Sequence, residues 1–309
     1  MNFEEYLEAL VDSSQQLKIA ELQRLSDPSP EQAEQFAARW PDIDVRRRRR
    51  ILQELIELAE DTVELNFDFV FRHALGDTDD EARLAAVRGL WECESPDLID
   101  DLTALTQGDD SAAVRAEAAL ALGRFVLLFE TGRLRERHFE CVATALRRAI
   151  ENAAEIEEVR ARAIESIGPY DADWVRQAVT QAYESGSHRL KVSAVHAMGR
   201  SAESRWLPLL QRELTSEEAE LRYEAAVASG SLADEAAVPS LVPLAADADD
   251  EVRAAAIAAL GEIGGEAARR ALDDLVDTPS AAASEAAAAA LAEIDADNDN
   301  DPLGFKLGS

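Results

Sequence analysis

Histidine and cysteine are the residue types whose clustering would indicate a metal site here, since the 62 carboxylates are too numerous to be informative. The four histidines, His73, His138, His188 and His196, are scattered along the chain. His138 and Cys141 share one helix face at an i,i+3 spacing, which supplies at most two ligands, whereas a zinc site needs three or four protein ligands. The chain also lacks a Gly-rich phosphate loop and a nucleophile-elbow motif. We therefore expect no metal, no cofactor and no catalytic residue, and thus a protein that is not an enzyme.

The one basic run, Arg46–Arg50, could bind an acidic partner. A helix distributes five consecutive arginines over all of its faces. Acidic residues follow at Glu54, Glu57, Glu60 and Asp61, near enough for i,i+4 ion pairs. We interpret this segment as a solvated helix that neutralises its own charges, and contact with an acidic partner is the alternative.

A single basic residue recurs at a nearly constant interval, in steps of 32, 45, 31, 31 and 31 residues. Its positions are Arg83, Arg115, Arg160, Lys191, Arg222 and Arg253. Such a row could bind anions. However, acidic residues stand in the preceding turn of several copies, as Asp249 and Asp250 do before Arg253. We therefore favour ion pairs that help the repeats to stack over a row that binds anions.

The segment around each basic residue has the apolar pattern of a helix. In Asp250–Gly261, Val252, Ala256 and Leu260 fall on one stripe, and the same pattern recurs in Ser111–Gly123. The closing Gly predicts a left-handed helix C-cap. A second, proline-containing helix lies between successive copies, for example in Ala237–Leu244. Each helix pair is too small to bury its own stripe, so neighbouring pairs must stack.

These copies resemble the short HEAT-like repeats named after phycobilisome lyase subunits, whose consensus has an acidic turn, Val-Arg, and Ala-Leu-Gly. The resemblance covers about residues 77–294. It implies an all-α fold, a right-handed α-solenoid of stacked antiparallel helix pairs in which the second helix of each pair lines the concave face. It also implies that the repeated basic residue and the acidic turn residue form ion pairs across adjacent repeats. Repeats of this kind occur in scaffolds and in enzyme subunits. The related deoxyhypusine hydroxylases bind iron through His-Glu dipeptides, which this sequence lacks.

We expect three segments. Residues 1–42 form an N-terminal helical cap, in which Ser29–Gln32 is a capping box. Residues 43–294 form the repeat solenoid. Residues 295–309 form an acidic, disordered tail. Cys93 and Cys141 lie within helical pattern and are expected to be buried thiols rather than a disulfide.

The charge balance excludes several classes of partner. The chain has 62 acidic and 31 basic residues, a net charge of −31, which repels nucleic acids and anionic membranes. Its first residues are acidic, and no apolar run approaches the roughly 18 residues of a membrane span. We expect a soluble, cytoplasmic monomer that binds neither nucleic acid nor membrane. Only three bases are lysines. An acidic, lysine-poor composition is typical of salt-adapted proteins, and a GC-rich genome, which favours Arg over Lys, is the alternative explanation.

The predicted partner-binding surface follows from helix geometry. Positions +1 and +5 from each basic residue lie opposite the core stripe and are mainly apolar, whereas a solvated face is mostly charged. The candidate protein-binding residues are Leu84, Arg88, Leu120, Glu165, Val192, His196, Tyr223 and Val227. We predict a non-enzymatic scaffold or adaptor that holds a protein partner on the concave face. A narrow solenoid that buries this face itself is one alternative, and a bilin-lyase-like subunit of a modifying enzyme is another.

The single step of 45 residues marks an insertion around Phe125–Arg137. Insertions in repeat arrays often carry specificity. Arg133, Arg135 and Arg137 stand out there from the acidic background and form a second candidate contact surface. The alternative is a longer helix pair.

Overall fold

The computed structural model describes residues 2–278 and 280–300. Throughout these ranges the regular structure consists of α-helices and short 3-10 helices, without a strand. The chain divides into two compact units, residues 1–166 and 167–309. The predicted all-α fold of stacked helix pairs is confirmed.

The first unit contains nine α-helices, the last of which ends at the boundary. They are α1 Phe3–Val11, α2 Pro30–Arg39, α3 Val45–Asp61, α4 Asp68–Ala74, α5 Asp80–Gly89, α6 Leu98–Gly108, α7 Ala112–Glu130, α8 Glu136–Glu151 and α9 Glu157–Ile167.

The second unit contains the remaining α-helices of the described residues. They are α10 Asp173–Glu184, α11 His188–Arg200, α12 Leu207–Glu213, α13 Ala219–Leu232, α14 Val238–Leu241, α15 Asp250–Ile263, α16 Gly265–Val276 and α17 Ala281–Asn300.

Stacking is carried by the second helix of each pair. In the first unit α5 packs against both α3 and α7, and in the second unit α13 packs between α11 and α15. The predicted apolar stripe lies in these contacts, since Val252, Ala256 and Leu260 are fully buried. Each pair therefore buries its stripe against its neighbours, as the repeat pattern predicted.

The repeat glycines do not cap helices in a left-handed conformation, so that prediction is wrong. Gly199 and Gly230 lie inside α11 and α13, and neither has a positive φ. A Cβ added at Gly199 would lie 2.6 Å from the Cα of Ala228, and one at Gly230 would lie 2.9 Å from the Cα of Ala259. The glycine instead allows the next second helix to approach closely.

The N-terminal segment is helical and joins the first unit through buried polar contacts. The predicted capping box of α2 is present, since Ser29 and Gln32 exchange hydrogen bonds. Asp77 accepts hydrogen bonds from Trp40 Nε1 at 2.7 Å and from Arg48 Nη2 at 3.1 Å. These bonds tie the end of α2 and the start of α3 to the turn before α5.

Three local expectations change. The insertion lengthens α7 and α8, as the alternative for it predicted; Phe129 and Phe139 stack there with ring centroids 3.9 Å apart. Cys93 is buried but Cys141 is exposed. The acidic tail was expected to be disordered from residue 295. It is instead helical as far as Asn300, because α17 continues through it. Residues 301–309 lie outside the described residues.

Candidate functional site

Four of the six repeated cations form ion pairs between adjacent repeats, as predicted, whereas Arg253 pairs within its own helix. Arg83 binds Asp109 through two bonds of 2.7 and 2.8 Å, and Arg222 binds Asp247 through two bonds of 2.8 Å. Each arginine also donates to a carbonyl six residues earlier, that of Asp77 for Arg83. The bonds from Arg222 hold the pKa of Asp247 below its ordinary value, so this carboxylate stays ionised.

The remaining members of the row vary in their partners. Arg115 binds Glu155 at 2.8 Å, and Lys191 binds Glu213 at 2.8 Å. Arg160 donates to the carbonyl of Ile150 at 3.2 Å. Arg253 pairs with Asp250 of its own helix. The row therefore stabilises the stacking of the repeats and the turns between helices, and its cationic groups already have carboxylate or carbonyl partners.

The same arrangement begins one helix pair earlier than the sequence repeat. Arg49 of α3 binds Asp79 through bonds of 2.7 and 2.6 Å, and this contact lowers the pKa of Asp79. Arg48 is buried against Asp77, and Arg47 donates to the carbonyls of Gln15 and Ala9. The interpretation of the basic run as a solvated, self-neutralising helix is therefore wrong for three of its five arginines.

The second helices of the first unit form an open concavity of about 500 Å³. We call it the α5–α7 groove. It is lined by Gln53, Ile56 and Glu60 of α3, by Val87, Arg88 and Trp91 at the end of α5, and by Glu117, Leu120, Ala121 and Arg124 of α7. Trp91 is 56% exposed and Leu120 is 38% exposed. Two large apolar side chains thus face solvent in one concave surface, which is typical of an interaction site.

Charged groups border this apolar surface. Arg88 Nε donates to Glu117 at 3.0 Å, which links α5 to α7 across the groove. Arg124 turns inward and donates to the carbonyls of Leu90 and Cys93 at the end of α5. Its burial lowers the pKa of the Arg124 guanidinium. Arg124 therefore supplies hydrogen bonds to backbone carbonyls at the C-terminal end of α5. Arg88 and Glu117 remain at the surface.

Sequence reasoning predicted Arg88 and Leu120 for this surface but missed Trp91. The +1 and +5 positions follow one helix face, and the next position on that face is +8. Counted from Arg83, that position is Trp91. The signal was present, but Trp91 lies two residues beyond the end of α5 at Gly89, where we did not extend the pattern.

The other candidates in the first unit are less available. Leu84 is half-buried on α5 and does not line the groove. Glu165 is half-buried and accepts a bond from Arg162 at 3.0 Å. The structure therefore brings two predicted residues of this unit together, Arg88 and Leu120.

The second unit contains the remaining candidates. Tyr223 is 38% exposed on α13, and Val227 is half-buried one turn later. His196 is half-buried with Nδ1 3.4 Å from Glu224. Val192 is only 6% exposed, so the prediction that it faces an open groove is wrong.

The insertion arginines are all exposed. Arg133 pairs with Glu94, and Arg137 Nε donates to His138 Nε2 at 3.1 Å. Arg135 is the N-cap residue of α8. Two of the three thus contact their own unit, which fits the lengthened helix pair described above.

Within the described residues no three His, Cys, Asp or Glu side chains form a group that could hold a metal ion. The predicted two-residue pair, His138 and Cys141, has other contacts, since Cys141 Sγ lies 3.6 Å from the carbonyl of Arg137. No helix in the described part of the chain is long and apolar enough to cross a bilayer.

Comparison with known proteins agrees with this architecture. The family model for HEAT repeats matches residues 69–126 and 207–292, which include α5, α6 and most of α7 in one unit and α12–α16 in the other. The chain is a HEAT-like repeat protein. A search of curated proteins gave no significant match.

Several solved structures match the chain at low sequence identity. A chain of the complex of Kap95p with RanGDP matches with a TM-score of 0.52 and 14% identity, over 94% of this chain and 46% of that one. The complex of CpcE and CpcF of phycocyanin lyase from Nostoc sp. PCC7120 matches with a TM-score of 0.48 and 18% identity, over 76% and 97%. Human deoxyhypusine hydroxylase matches with a TM-score of 0.37 and 19% identity, over 95% and 97%.

Proposed function

We propose that this chain is a non-enzymatic scaffold or adaptor that holds a protein partner on the concave face of its second helices, with the α5–α7 groove as the principal contact surface. The observation that carries the proposal is that two exposed apolar side chains, Trp91 and Leu120, line the same concavity. Exposed tryptophan near the centre of a concave surface is typical of residues that supply most of an interface's binding energy.

The charges of the chain narrow the kind of partner. The net charge of −31 opposes binding to nucleic acid and to anionic membranes, and the repeated arginines are engaged in ion pairs. HEAT-fold proteins include Kap95p, which binds RanGDP, and CpcE, which forms a complex with CpcF. A protein partner is therefore the class that the proposal adopts, and the chain itself is proposed to be a cytoplasmic monomer.

The proposal is tested by capturing partners on the immobilised chain from an extract of its source. Leu120→Asp introduces a charge into a desolvated groove, which is costly, and Trp91→Ala removes a large aromatic contact. Each should lower the captured amount of a specific protein about tenfold, a loss near 1.4 kcal/mol. The matched control is Val63→Asp, since Val63 is 91% exposed and lies outside the groove. Helix content should be unchanged in all three variants.

Retained capture by both groove variants would contradict the proposal. Tyr223→Asp then tests the exposed position on α13, and charge reversal at Arg133, Arg135 and Arg137 tests the insertion. The mass of the captured partner should also be measured before and after incubation. A groove-dependent change in that mass would favour a subunit of a modifying enzyme over a scaffold.

A further inference from the structure

The apolar surface of the α5–α7 groove continues along α7 beyond the concavity. Leu127 is 39% exposed, as Leu120 is at 38%. Leu127 follows Leu120 by seven residues, or two helical turns, so the two side chains share one helix face about 10 Å apart. Together with Trp91 at the end of α5, they give three exposed apolar side chains on neighbouring second helices.

The spacing of the two leucines matches a helix in the partner. An α-helix repeats one face every two turns, again at about 10 Å, whereas an extended chain repeats one face at about 7 Å and 13 Å. The described residues contain no strand, so they offer no sheet edge to which a peptide could add. Proline-rich segments bind aromatic-lined grooves, but Trp91 is the single aromatic residue in this lining.

The wall of the groove formed by α3 is acidic. Glu60 lines the groove and is exposed, and within the described part of the chain its carboxylate has neither an ion pair nor a hydrogen-bond partner. Glu57, one turn earlier, is also exposed. Its partner is the neutral amide of Gln53, which donates at 3.2 Å. Two carboxylates on this wall therefore lack a cation.

The two cations of the lining already have acidic neighbours. Arg88 Nε pairs with Glu117 at 3.0 Å. The guanidinium of Arg124 donates to backbone carbonyls and interacts electrostatically with the carboxylates of Asp68 and Glu94. The charge left without compensation in the groove is thus negative. The net charge of −31 adds a long-range attraction for a cationic partner.

We propose that the α5–α7 groove binds an amphipathic helix of its protein partner. The apolar stripe of that helix packs against Trp91, Leu120 and Leu127, and lysine or arginine on its flank meets Glu57 and Glu60. This assignment rests on the proposed function, since it presumes a protein partner in this groove, and it adds the secondary structure and the charge of the segment that is recognised.

The probe for the test is a displayed library of random peptides of about 16 residues, long enough for roughly four helical turns. The library is first depleted on the Trp91→Ala variant and then selected on the wild type. Because the variant has the same net charge, depletion removes peptides that bind through charge alone. The selected sequences should share apolar residues at i, i+3 or i+4, and i+7, with lysine or arginine beside this stripe. Circular dichroism should show that a selected peptide becomes helical when it binds.

A charge exchange tests the contact with α3. Glu60→Lys should lower the affinity of a selected peptide about tenfold, because it places like charges opposite each other. Replacing the facing lysine of the peptide with glutamate should restore binding to this variant, which a misfolded variant could not do. The control is Asp101→Lys, the same change of charge at an exposed residue outside the groove, and it should leave the affinity unchanged.

Several results would overturn the proposal. They are a selection that yields no Trp91-dependent peptide, selected peptides that lack basic residues or stay extended when bound, and equal losses from Glu60→Lys and Asp101→Lys. Any of these together with groove-dependent capture of a protein from extract would leave the scaffold function in place and remove helix recognition alone. Capture that does not depend on the groove contradicts the proposed function itself.

Discussion

Single residues determine the distance between the second helices of adjacent repeats, and the repeat glycines show this most clearly. Alanine stabilises a helix interior by about 1 kcal/mol relative to glycine, yet a Cβ at Gly199 would lie 2.6 Å from the backbone of Ala228. We expect Gly199→Ala to destabilise the fold by about 1–3 kcal/mol, as overpacked cores do. Gly108→Ala is the control, since nothing lies within 4 Å of its added Cβ, and thermal melts should show it unchanged or more stable.

The ion pairs between repeats give a pH prediction at the same scale. The pKa of Asp247 is lowered in the folded state, first by its bonds from Arg222. Its contribution to stability is therefore present above an unfolded pKa of about 3.9 and is lost as the pH falls through the lower folded pKa. Asp247→Asn should lower the free energy of unfolding at neutral pH by about 1–3 kcal/mol.

The matched control for this prediction is Asp250→Asn. Asp250 also pairs with an arginine, Arg253, but its side chain is 87% exposed, and exposed ion pairs contribute little. Urea unfolding from neutral pH down to about pH 3 should show Asp247→Asn and the wild type converging in the acid range. A constant difference at all pH values would assign the effect to packing instead of charge.

The contacts of a residue could be predicted from the sequence where both the residue and its partner recur in each repeat. The ion pair between adjacent repeats was expected from the spacing of Arg222 and its relatives, and the structure confirms it. The roles of Arg48 and Arg49 were not predictable, because these two residues precede the regular copies and lie 29 and 30 residues from their partners Asp77 and Asp79. Only the packing of α3 against α5 brings these residues together.

At the scale of elements, one buried ion pair attaches the N-terminal helices to the repeats. The side chain of Asp77 is 2% exposed and that of Arg48 is 10% exposed. Asp77→Ala would leave the Arg48 charge buried and unpaired, so we expect a loss of about 3–5 kcal/mol and faster hydrogen exchange in α2 and α3. The control is Asp42→Ala, whose ion pair with Arg39 is exposed. Equal losses in both variants would contradict a special role for the buried pair.

Helix faces were predictable only as far as the repeats are regular. The core stripe of α15 was correctly assigned, since Val252 and Leu260 are fully buried. The opposite face was assigned less well: Leu120 is exposed on α7, but the corresponding early position on α11, Val192, is buried. Whether a position on this face is buried depends on the angle at which each helix crosses its neighbour. The periodicity of a single helix gives no information about that angle.

For the whole molecule, charge dominates the response to solvent. A net charge of −31 opposes compaction through self-repulsion. Raising salt from about 0.01 M to about 1 M shortens the screening length from about 30 Å to about 3 Å, so the melting temperature should rise in potassium chloride and also in potassium gluconate. Melting temperatures that stay constant or fall across this range would contradict the electrostatic account.

The central claim is that the groove formed by α3, α5 and α7 holds a protein partner. Its most direct test is site-specific photocross-linking, with a photoreactive phenylalanine derivative placed at Leu120 in the groove or, as control, at the exposed Asp101 on α6, the first helix of the same pair. We predict that Leu120 gives a discrete cross-link to one protein in source extract and that Trp91→Ala abolishes it. Equal cross-linking from Asp101, or a cross-link from Leu120 that persists without Trp91, would contradict the claim.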